Sequence, residues 1–263
     1  MKADHAASLL RRETFAPGLF SVTFRSPALS DAIRPGQFVM VEVPGRSRPY
    51  LRRAYSVADA EPLAGNVELL IKTIGAGTAA LETLPEMAEV RLLGPLGNSF
   101  GVDGFAKGER AAIVAGGIGA APFPMLLKAL RKAGVPCDFY LGGRNERELS
   151  IRRRFDGLVR GETVLTSDDG SLGEKGFVTE ALARRLEKGA RYARVYACGP
   201  MPMFGSLARV VGKAGVAAEF STEAEMGCGF GVCLGCVIPA VDKPFIVSCT
   251  EGPILSPEKI KWS

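Results

Sequence analysis

Four of the six cysteines lie close together near the C-terminal end, where they could act as one group of ligands. They follow the pattern C-x4-C-x2-C with a later fourth member: Cys228, Cys233, Cys236 and Cys249. Two irons bridged by sulfides need four thiolates, and the glycines among the first three cysteines let the backbone wrap around the sulfurs. The spacing therefore predicts a [2Fe–2S] cluster on these four residues.

A structural zinc site is the main alternative for the same cysteines. Zinc sites favour two paired C-x2–4-C knuckles, whereas the second half of this motif offers only Cys249. Iron–sulfur ligation is therefore favoured, and the short distance to the last cysteine indicates a compact appended loop rather than a full ferredoxin domain. Cys137 lies apart at the start of an apolar run and is expected in the core.

Two motifs in the first third of the chain have residue types that bind a flavin. The tetrapeptide Arg53–Ser56 offers an arginine for a pyrophosphate, a tyrosine to stack on a ring and a serine to hydrogen-bond a ring nitrogen. After Leu70–Lys72, the turn Gly75–Thr78 opens a predicted helix, Ala79–Leu84, whose N-terminus is a ready anion site. The alternatives are an alternating edge strand and a Thr-capped helix, but together the motifs predict flavin binding.

Two later turns each stand between a predicted strand and a predicted helix, which is the setting of a dinucleotide-binding turn. The first is Gly116–Pro122, where Pro122 replaces the last glycine of a full G-x-G-x-x-G pattern. The second is Cys198–Met203, which would place the Cys198 thiol at the mouth of a sheet beside a bound nicotinamide. Either turn alone could be mere packing, but the pair favours nucleotide binding.

The choice between NAD and NADP is left open by these residues. No acidic residue ends the second predicted strand of this region, where one would bind the ribose hydroxyl. Arg144 follows that strand and could instead contact a 2′-phosphate.

The predicted secondary structure that positions these motifs changes after about residue 103, from short strands to alternating strands and helices. Short apolar runs broken by glycine and proline predict the strands of a small antiparallel barrel: Leu19–Phe24, Gln37–Val43, Ala54–Ala58, Val67–Ile74 and Val90–Leu93. Alternating strands and helices then predict a parallel sheet: strands Ala111–Ala115, Cys137–Leu141, Thr163–Thr166 and Arg194–Ala197, with helices Pro122–Ala133, Val178–Leu186 and Pro202–Lys213.

The predicted fold class is therefore an antiparallel β-barrel plus an α/β parallel-sheet nucleotide-binding domain, with a small C-terminal iron–sulfur loop subdomain. We expect the FAD-binding barrel at 1–103, the NAD-binding domain at 104–221 and the cluster-binding subdomain at 222–263.

The composition is that of an ordinary globular protein, with 47% hydrophobic and 23% charged residues. The formal charge of +5 comes from scattered basic residues without interleaved aromatics, so we expect no nucleic-acid partner. Glycines and prolines interrupt the longest apolar stretch, Ala111–Leu127, so we expect no membrane span. The N-terminus lacks the order of a secretion signal, which favours the cytoplasm.

Taken in order, five motifs resemble those of the ferredoxin–NADP reductase superfamily: Arg53–Ser56, Gly75–Thr78, Gly94–Phe100, Gly116–Pro122 and Cys198–Met203. With the cysteine segment and the stretch Ser167–Phe177 added, the whole chain resembles the electron-transfer subunits of B-type dihydroorotate dehydrogenases. That resemblance implies an NAD-linked oxidoreductase subunit that carries FAD and a [2Fe–2S] cluster. It also implies a separate FMN-containing catalytic subunit that oxidises dihydroorotate in pyrimidine biosynthesis, in a heterotetramer of two copies of each.

The resemblance also assigns site residues by position. FAD would be held by Arg53, Ala54, Tyr55, Ser56, Leu70, Ile71, Lys72, Gly77 and Thr78. NAD would be held by Gly117, Gly119, Cys198, Gly199 and Pro200, with Ser56 and Cys198 the residues nearest the reacting rings.

Two other functions compete with this one. The chain could be the electron-transfer subunit of another NAD(P)H-linked complex, such as a ferredoxin:NADP reductase, a hydrogenase or a sulfur reductase. It could also be a non-enzymatic, zinc-stabilised nucleotide-binding protein. We find no Ser–His–Asp set, and the one histidine, His5, is expected to be inert near a mobile end. The relay therefore needs cofactors rather than side-chain acid–base chemistry.

Overall fold

A six-stranded antiparallel barrel forms the first part of the computed structural model, which describes residues 2–42 and 51–262. The strands close in the order β1-β2-β5-β4-β3-β6. Their bounds are β1 (Ala3–Ala16), β2 (Leu19–Arg25), β3 (Phe38–Val41), β4 (Arg53–Glu61), β5 (Asn66–Lys72) and β6 (Glu89–Leu96). Two short helices, α1 (Pro27–Ala32) and α2 (Ala76–Glu82), lie in the connections.

The sequence patterns missed the longest strand of the barrel, β1. Its register against β2 shifts twice, between Leu9 and Arg11 and between Thr14 and Ala16. Such bulges break the alternation of apolar and polar residues from which a strand is predicted. His5, which was expected near a mobile end, lies within β1, with its Nε2 3.1 Å from the Gly94 carbonyl oxygen.

The second part is a parallel sheet in the order β10-β9-β8-β7-β11-β12. Its strands are β7 (Ala111–Gly116), β8 (Cys137–Gly143), β9 (Thr163–Ser167), β10 (Glu174–Lys175), β11 (Arg194–Cys198) and β12 (Ala217–Ser221). Its helices are α3 (Phe123–Lys132), α4 (Glu146–Leu149), α5 (Val178–Glu187) and α6 (Met201–Ala214). One buried cluster packs α3 on one face, and another packs α5 and α6 on the opposite face.

The remaining segment leaves this sheet and returns to it. It contains β13 (Val237–Pro239), β14 (Phe245–Val247), α7 (Ser248–Glu251) and β15 (Ile254–Leu255). Strand β15 pairs antiparallel with β12, with Ser221 opposite Ile254, so the two ends of residues 222–253 lie side by side. Residues 222–253 therefore form a loop whose two ends are held together by strand pairing.

Asn98, just beyond β6, ties the same base to the barrel. Its Nδ2 donates to the Ile254 carbonyl at 2.8 Å, and its Oδ1 accepts from the Ile254 N–H at 2.9 Å. Its backbone N–H donates to the Gly252 carbonyl at 2.7 Å. A single amide side chain thus holds the returning strand against the end of the barrel.

These features confirm the predicted fold class, with observed elements differing from the predicted ones mainly at their ends. Strand β12 was not predicted, because alanine and glutamate are weak strand formers and only pairing with β11 explains it. The predicted strand Gln37–Val43 is observed as β3, and its last residue lies outside the described residues. No helix within residues 2–42 and 51–262 is long and apolar enough to cross a bilayer.

A buried ion cluster joins the barrel to the parallel sheet. Arg154, which follows α4, lies 2.6 Å from Glu68 and 2.7 Å from Asp59 of the barrel. Lys128 of α3 also pairs with Asp59. The carboxylate side chains are 5% exposed for Asp59 and 8% for Glu68, so each depends on its cationic partners.

Replacing Arg154 tests this junction. We expect Arg154→Ala to destabilise the protein by about 3 kcal/mol, because it leaves buried carboxylates without their main partner. For a chain of this size the melting temperature should fall by roughly 6–12 °C in thermal denaturation. Arg160→Ala, at an exposed position in the following loop, is the matched control. An equal, small change in both variants would show that the cluster does not stabilise the junction.

Candidate functional site

A cavity of about 460 Å³ lies between the ends of β4 and β5 and the segment that follows β12. Seven residues predicted for the flavin line it: Ala54, Tyr55, Ser56, Leu70, Ile71, Lys72 and Thr78. Two others do not. The Arg53 guanidinium donates to the Leu51 carbonyl at 2.7 Å, and Gly77 is buried within α2.

The Tyr55 hydroxyl is the polar group in this cavity that most needs a ligand. It is buried and has no hydrogen-bond partner among the residues that the structure describes. Burial raises the pKa of Tyr55 to about 12, although Arg53 acts to lower it, so the hydroxyl stays protonated. Buried hydroxyls are nearly always hydrogen-bonded. A bound flavin nucleotide, with polar ring edges and phosphates, fits this group.

Thr78 has the structural role that was the alternative for its motif, which is to cap a helix. Its hydroxyl accepts hydrogen bonds from the N–H groups of Ile74 at 2.9 Å and Gly75 at 3.1 Å. It therefore caps the turn before α2, and the helix begins earlier than predicted, at Ala76. The residue lines the cavity while its side chain holds the turn in shape.

A second cavity, of about 520 Å³, lies at the carboxyl ends of the parallel strands. Four predicted dinucleotide residues line it: Gly117, Gly119, Gly199 and Pro200. A Cβ on Gly119 would lie 2.4 Å from the Cys198 carbonyl oxygen, so the two glycine-rich turns touch and no larger residue fits at Gly119. The carboxyl ends of parallel strands are where open α/β sheets bind dinucleotides.

Thr166 on β9 is a site residue that the sequence patterns missed. It lines the second cavity, and its hydroxyl is buried without a partner among the described residues. Such a hydroxyl needs a hydrogen-bonding ligand. Thr166 and the two glycine-rich turns therefore all fit a polar ligand such as a dinucleotide.

Cys198 does not lie where the sequence analysis placed it. Its side chain is 2% exposed and does not line the dinucleotide cavity, because the turn containing Gly119 packs directly over it. Its Sγ instead lies 3.9 Å from Glu223 Oε1. Burial raises the pKa of both Cys198 and Glu223, which favours the protonated form of each.

Three residues line both cavities: Lys72, Ile118 and Glu223. The two cavities are therefore neighbours, and ligands in them can lie side by side. Lys72 Nζ is 2.7 Å from Glu148 Oε1. Burial acts to raise the pKa of Glu148, but hydrogen bonds from Arg144 and Lys72 outweigh it and lower the pKa to about 2. The boundary thus carries fixed charges.

The cysteine loop begins directly after the wall of the flavin cavity. Residues 221–226 line that cavity, and Ala224 and Met226 also pack against the buried cluster that contains Cys236 and Cys249. No residue of this segment was predicted as part of a site, because its role depends on where β12 ends.

The four cysteines form two pairs at the end of the barrel. The backbone N–H of Cys233 donates to Cys228 Sγ at 3.4 Å, and the backbone N–H of Cys249 donates to Cys236 Sγ at 3.4 Å. Burial acts to raise the pKa of Cys228, but N–H groups of Cys233, Phe230 and Val232 lower it to about 6. Those N–H groups lie 3.4–3.5 Å from the sulfur. The loop therefore stabilises thiolates in the way that an iron–sulfur site requires.

Glycines make this loop sterically possible. At Gly229, with φ of +81°, a Cβ would lie 2.5 Å from Met40 Cγ of the barrel. At Gly227 a Cβ would lie 3.3 Å from the Cys233 sulfur. Across residues 2–42 and 51–262, no three histidine, cysteine or acidic residues converge as ligands of one metal ion. Two thiol pairs fit a two-iron cluster.

The chain matches three described families in sequence. The oxidoreductase FAD-binding domain matches residues 9–100, and the oxidoreductase NAD-binding domain matches residues 113–209. The iron–sulfur cluster binding domain of dihydroorotate dehydrogenase B matches residues 223–261. The first two matches contain the barrel residues that line the flavin cavity and the parallel-sheet residues that line the dinucleotide cavity, and the third contains the four cysteines.

Among solved structures, the chain resembles one from the NADH-dependent reduced ferredoxin-NADP oxidoreductase. The TM-score is 0.87 at 27% identity, covering 97% of this chain and 90% of the other. It also resembles the ferredoxin reductase of carbazole 1,9a-dioxygenase, with a TM-score of 0.68 at 26% identity, covering 83% of this chain and 69% of the other. Both likenesses extend over the barrel and the parallel sheet.

Curated relatives match almost the whole chain. One from Desulforamulus reducens is 33% identical over 97% of both chains, and one from Lysinibacillus sphaericus is 34% identical over 94% of both. Both are named the electron transfer subunit of dihydroorotate dehydrogenase B (NAD(+)). This chain therefore belongs to the family of electron transfer subunits of dihydroorotate dehydrogenase B.

Proposed function

We propose that this chain passes electrons between NAD(H) and an FMN-containing dihydroorotate dehydrogenase subunit in pyrimidine biosynthesis. One observation carries the proposal: residues 221–226 wall the flavin cavity and lead directly into the four-cysteine loop. The dinucleotide cavity adjoins the same flavin cavity at Lys72, Ile118 and Glu223. The three sites are thus arranged in series. The names of the curated relatives support dihydroorotate as the substrate of the partner.

The residues of the chain position ligands rather than react with substrate. Tyr55 offers a protonated hydroxyl to the flavin, and the turns at Gly117 and Gly199 offer backbone to the dinucleotide. The pair Cys228 and Cys233 would hold one iron, and the other cysteine pair the second. When bound, FAD exchanges a hydride with the nicotinamide and the cluster carries single electrons.

We propose the domain division 1–103, 104–221 and 222–263. The barrel strands and the parallel strands up to β12 support the first two units. The third unit contributes β15 to the neighbouring sheet, so we do not expect it to fold alone. We also place the protein in the cytoplasm, where the thiols that bind a cluster stay reduced before assembly.

The surface around the cysteine loop supports a protein partner. We call it the cluster rim, and it consists of exposed apolar side chains: Phe230, Val232, Leu234, Val237, Val241 and Phe245. Cys233 is exposed among them. Exposed large apolar side chains concentrated in one segment favour an interaction surface there. The proposed occupant is the FMN-containing catalytic subunit, in a complex of two copies of each chain.

A second function has one observation in its favour. The likeness to the NADH-dependent reduced ferredoxin-NADP oxidoreductase covers 97% of this chain. A subunit of such a complex would therefore have the same fold and domain order. Co-purification decides between the two. We expect the chain to form a complex with an FMN subunit, and dihydroorotate then to reduce NAD⁺. A complex that couples only ferredoxin to NADP⁺ would overturn the proposal.

Replacing one cysteine separates the two halves of the relay. We expect Cys228→Ser to abolish electron transfer to the partner while NADH still bleaches the flavin at nearly the normal rate, because the flavin cavity lies upstream of the loop. Stopped-flow absorbance and steady-state turnover measure the two activities.

The matched control is Cys137→Ala, which removes a cysteine from the core of the parallel sheet. It should retain both activities. Loss of both activities together in Cys228→Ser, with the flavin still bound, would argue against sites in series.

A charge in the cluster rim tests the docking surface. We expect Val232→Asp to weaken association with the catalytic subunit by about tenfold or more, because an unpaired charge would be buried in the interface. Titration calorimetry or gel filtration measures the association, and iron and sulfide content should be unchanged.

Leu63→Asp is the matched control for this surface. Leu63 is fully exposed, but it lies in the turn between β4 and β5, at the opposite end of these strands from the flavin cavity. The Leu63→Asp variant should bind the catalytic subunit with the affinity of the original chain. Equal affinities of the two variants and the original chain for the catalytic subunit would show that the cluster rim is not part of the interface.

A further inference from the structure

The four cysteines of the loop occupy two different environments. Cys236 and Cys249 are buried, with 1% and 0% of their surface exposed. Cys228 is half-buried and Cys233 is exposed. The proposed function places one iron on each of these pairs, so the two irons of a [2Fe–2S] cluster would have unlike surroundings. We call Cys236 and Cys249 the inner pair, and Cys228 and Cys233 the outer pair.

The inner pair lies on the flavin side of the loop, in nonpolar surroundings. Both of its cysteines belong to a buried cluster that contains Phe38, Met40 and Leu96 of the barrel. Phe38 also lines the flavin cavity, as do Ala224 and Met226, which pack against the same cluster. Nonpolar surroundings give little stabilisation to added charge. An iron on the inner pair is thus close to the flavin but poorly placed to gain negative charge.

The outer pair lies on the solvent side, where the backbone supplies hydrogen bonds. The N–H groups of Phe230, Val232 and Cys233 donate to Cys228 Sγ at 3.4–3.5 Å. The exposed Cys233 stands between Val232 and Leu234, which belong to the cluster rim. Water and N–H donors both stabilise negative charge on a ligating sulfur. An iron on the outer pair is therefore well placed to gain charge.

Fewer donors reach the inner pair among the residues that the structure describes. The N–H of Cys249 donates to Cys236 Sγ at 3.4 Å, and the N–H of Gly231 donates to the Cys249 sulfur. Hydrogen bonds to the sulfurs and exposure to solvent both set the reduction potential of a cluster. Because both differ between the pairs in the same direction, reduction is easier at the outer pair.

Uptake of a single electron is the step in which this difference matters. An oxidised [2Fe–2S] cluster contains two ferric ions and carries about −2 with its four thiolates. One electron, given up by a flavin that NADH has reduced, converts one ferric ion to a ferrous ion, and no bond forms or breaks. The added negative charge resides on the iron whose surroundings stabilise it better.

We propose that the iron bound by Cys228 and Cys233 takes up this electron and becomes ferrous, whereas the iron bound by Cys236 and Cys249 stays ferric. The outer pair thus holds the electron at the surface beside the cluster rim, and the inner pair lies on its path from the flavin. This inference rests on the [2Fe–2S] site of the proposed function and assigns different roles to its four ligands.

One serine in each pair tests the assignment in the FAD-loaded full chain. A serine oxygen is a harder ligand than a thiolate and favours ferric over ferrous iron. We expect Cys233→Ser, in the outer pair, to lower the equilibrium constant of one-electron reduction at least tenfold, about 59 mV in midpoint potential. Cys236→Ser is the matched inner variant and should lower that constant by less than about threefold. A redox titration with dithionite and mediator dyes, followed by paramagnetic resonance, measures both.

Mössbauer spectra of the reduced chain, enriched in the Mössbauer isotope of iron, give a second readout. They separate the ferrous from the ferric component. Cys236→Ser should alter the ferric component and leave the ferrous component as in the original chain. A changed ferrous component in this variant would overturn the proposal. So would a fall in potential for Cys236→Ser that equals or exceeds the fall for Cys233→Ser.

Iron and sulfide content shows whether each variant holds an assembled cluster. Should either variant lack one, proton NMR of the reduced original chain replaces the comparison. Cysteine β-protons on ferric iron have hyperfine shifts that fall on warming, and those on ferrous iron have shifts that rise. We expect nuclear Overhauser effects to Met40 and Leu96 from the ferric set, because these side chains belong to the cluster around the inner pair. Effects from the ferrous set to these side chains would overturn the proposal.

None of these measurements uses the partner subunit. Failure to couple with dihydroorotate oxidation would refute the proposed function and leave the assignment of the electron unaffected. A ferrous inner iron would refute the assignment and leave the proposed relay in place.

Discussion

The pairing of β12 with β15 is the constraint on which the functional arrangement depends. It brings Ser221 and Ile254 side by side, so residues 222–253 form a loop whose two ends are held together. The outgoing residues 221–226 wall the flavin cavity, and the returning strand is held to the barrel by Asn98. The cysteine loop is thus anchored at both ends beside the cavity that it adjoins.

Buried polar groups gather where the two cavities meet. Glu223 leaves the sheet edge into the wall shared by both cavities and lies against Cys198. On the barrel side, Lys72 reaches across to Glu148 of the other domain. In surroundings of low polarity such groups are expensive unless they are paired with one another or with a ligand. The pairing across the domain boundary therefore fixes how the two cavities face each other.

The features that could be predicted from sequence are local ones. The cysteine spacing, the two glycine-rich turns and the periodicity of most strands and helices depend on residues close together in the chain. Strand β1 escaped prediction because bulges break its alternation, and β12 because its residues form strands only beside β11. The sequence analysis also placed Arg53 and Cys198 at cavity walls, but their side chains do not line them.

The missed site residues are those whose role comes from distant parts of the chain. Glu223 and Thr166 carry no motif, and they become site residues because strand ends converge at one edge of the sheet.

The most direct test of sites arranged in series is an anaerobic titration of the purified full chain with NADH, without partner. Flavin absorbance and the paramagnetic signal of a reduced [2Fe–2S] cluster are followed together. The structure predicts that NADH reduces both groups within the same chain. A fully reduced flavin beside a cluster that stays oxidised, in a chain whose cluster a mediator dye reduces at the potential of NADH, would contradict the claim that residues 221–226 join the flavin cavity to the cluster.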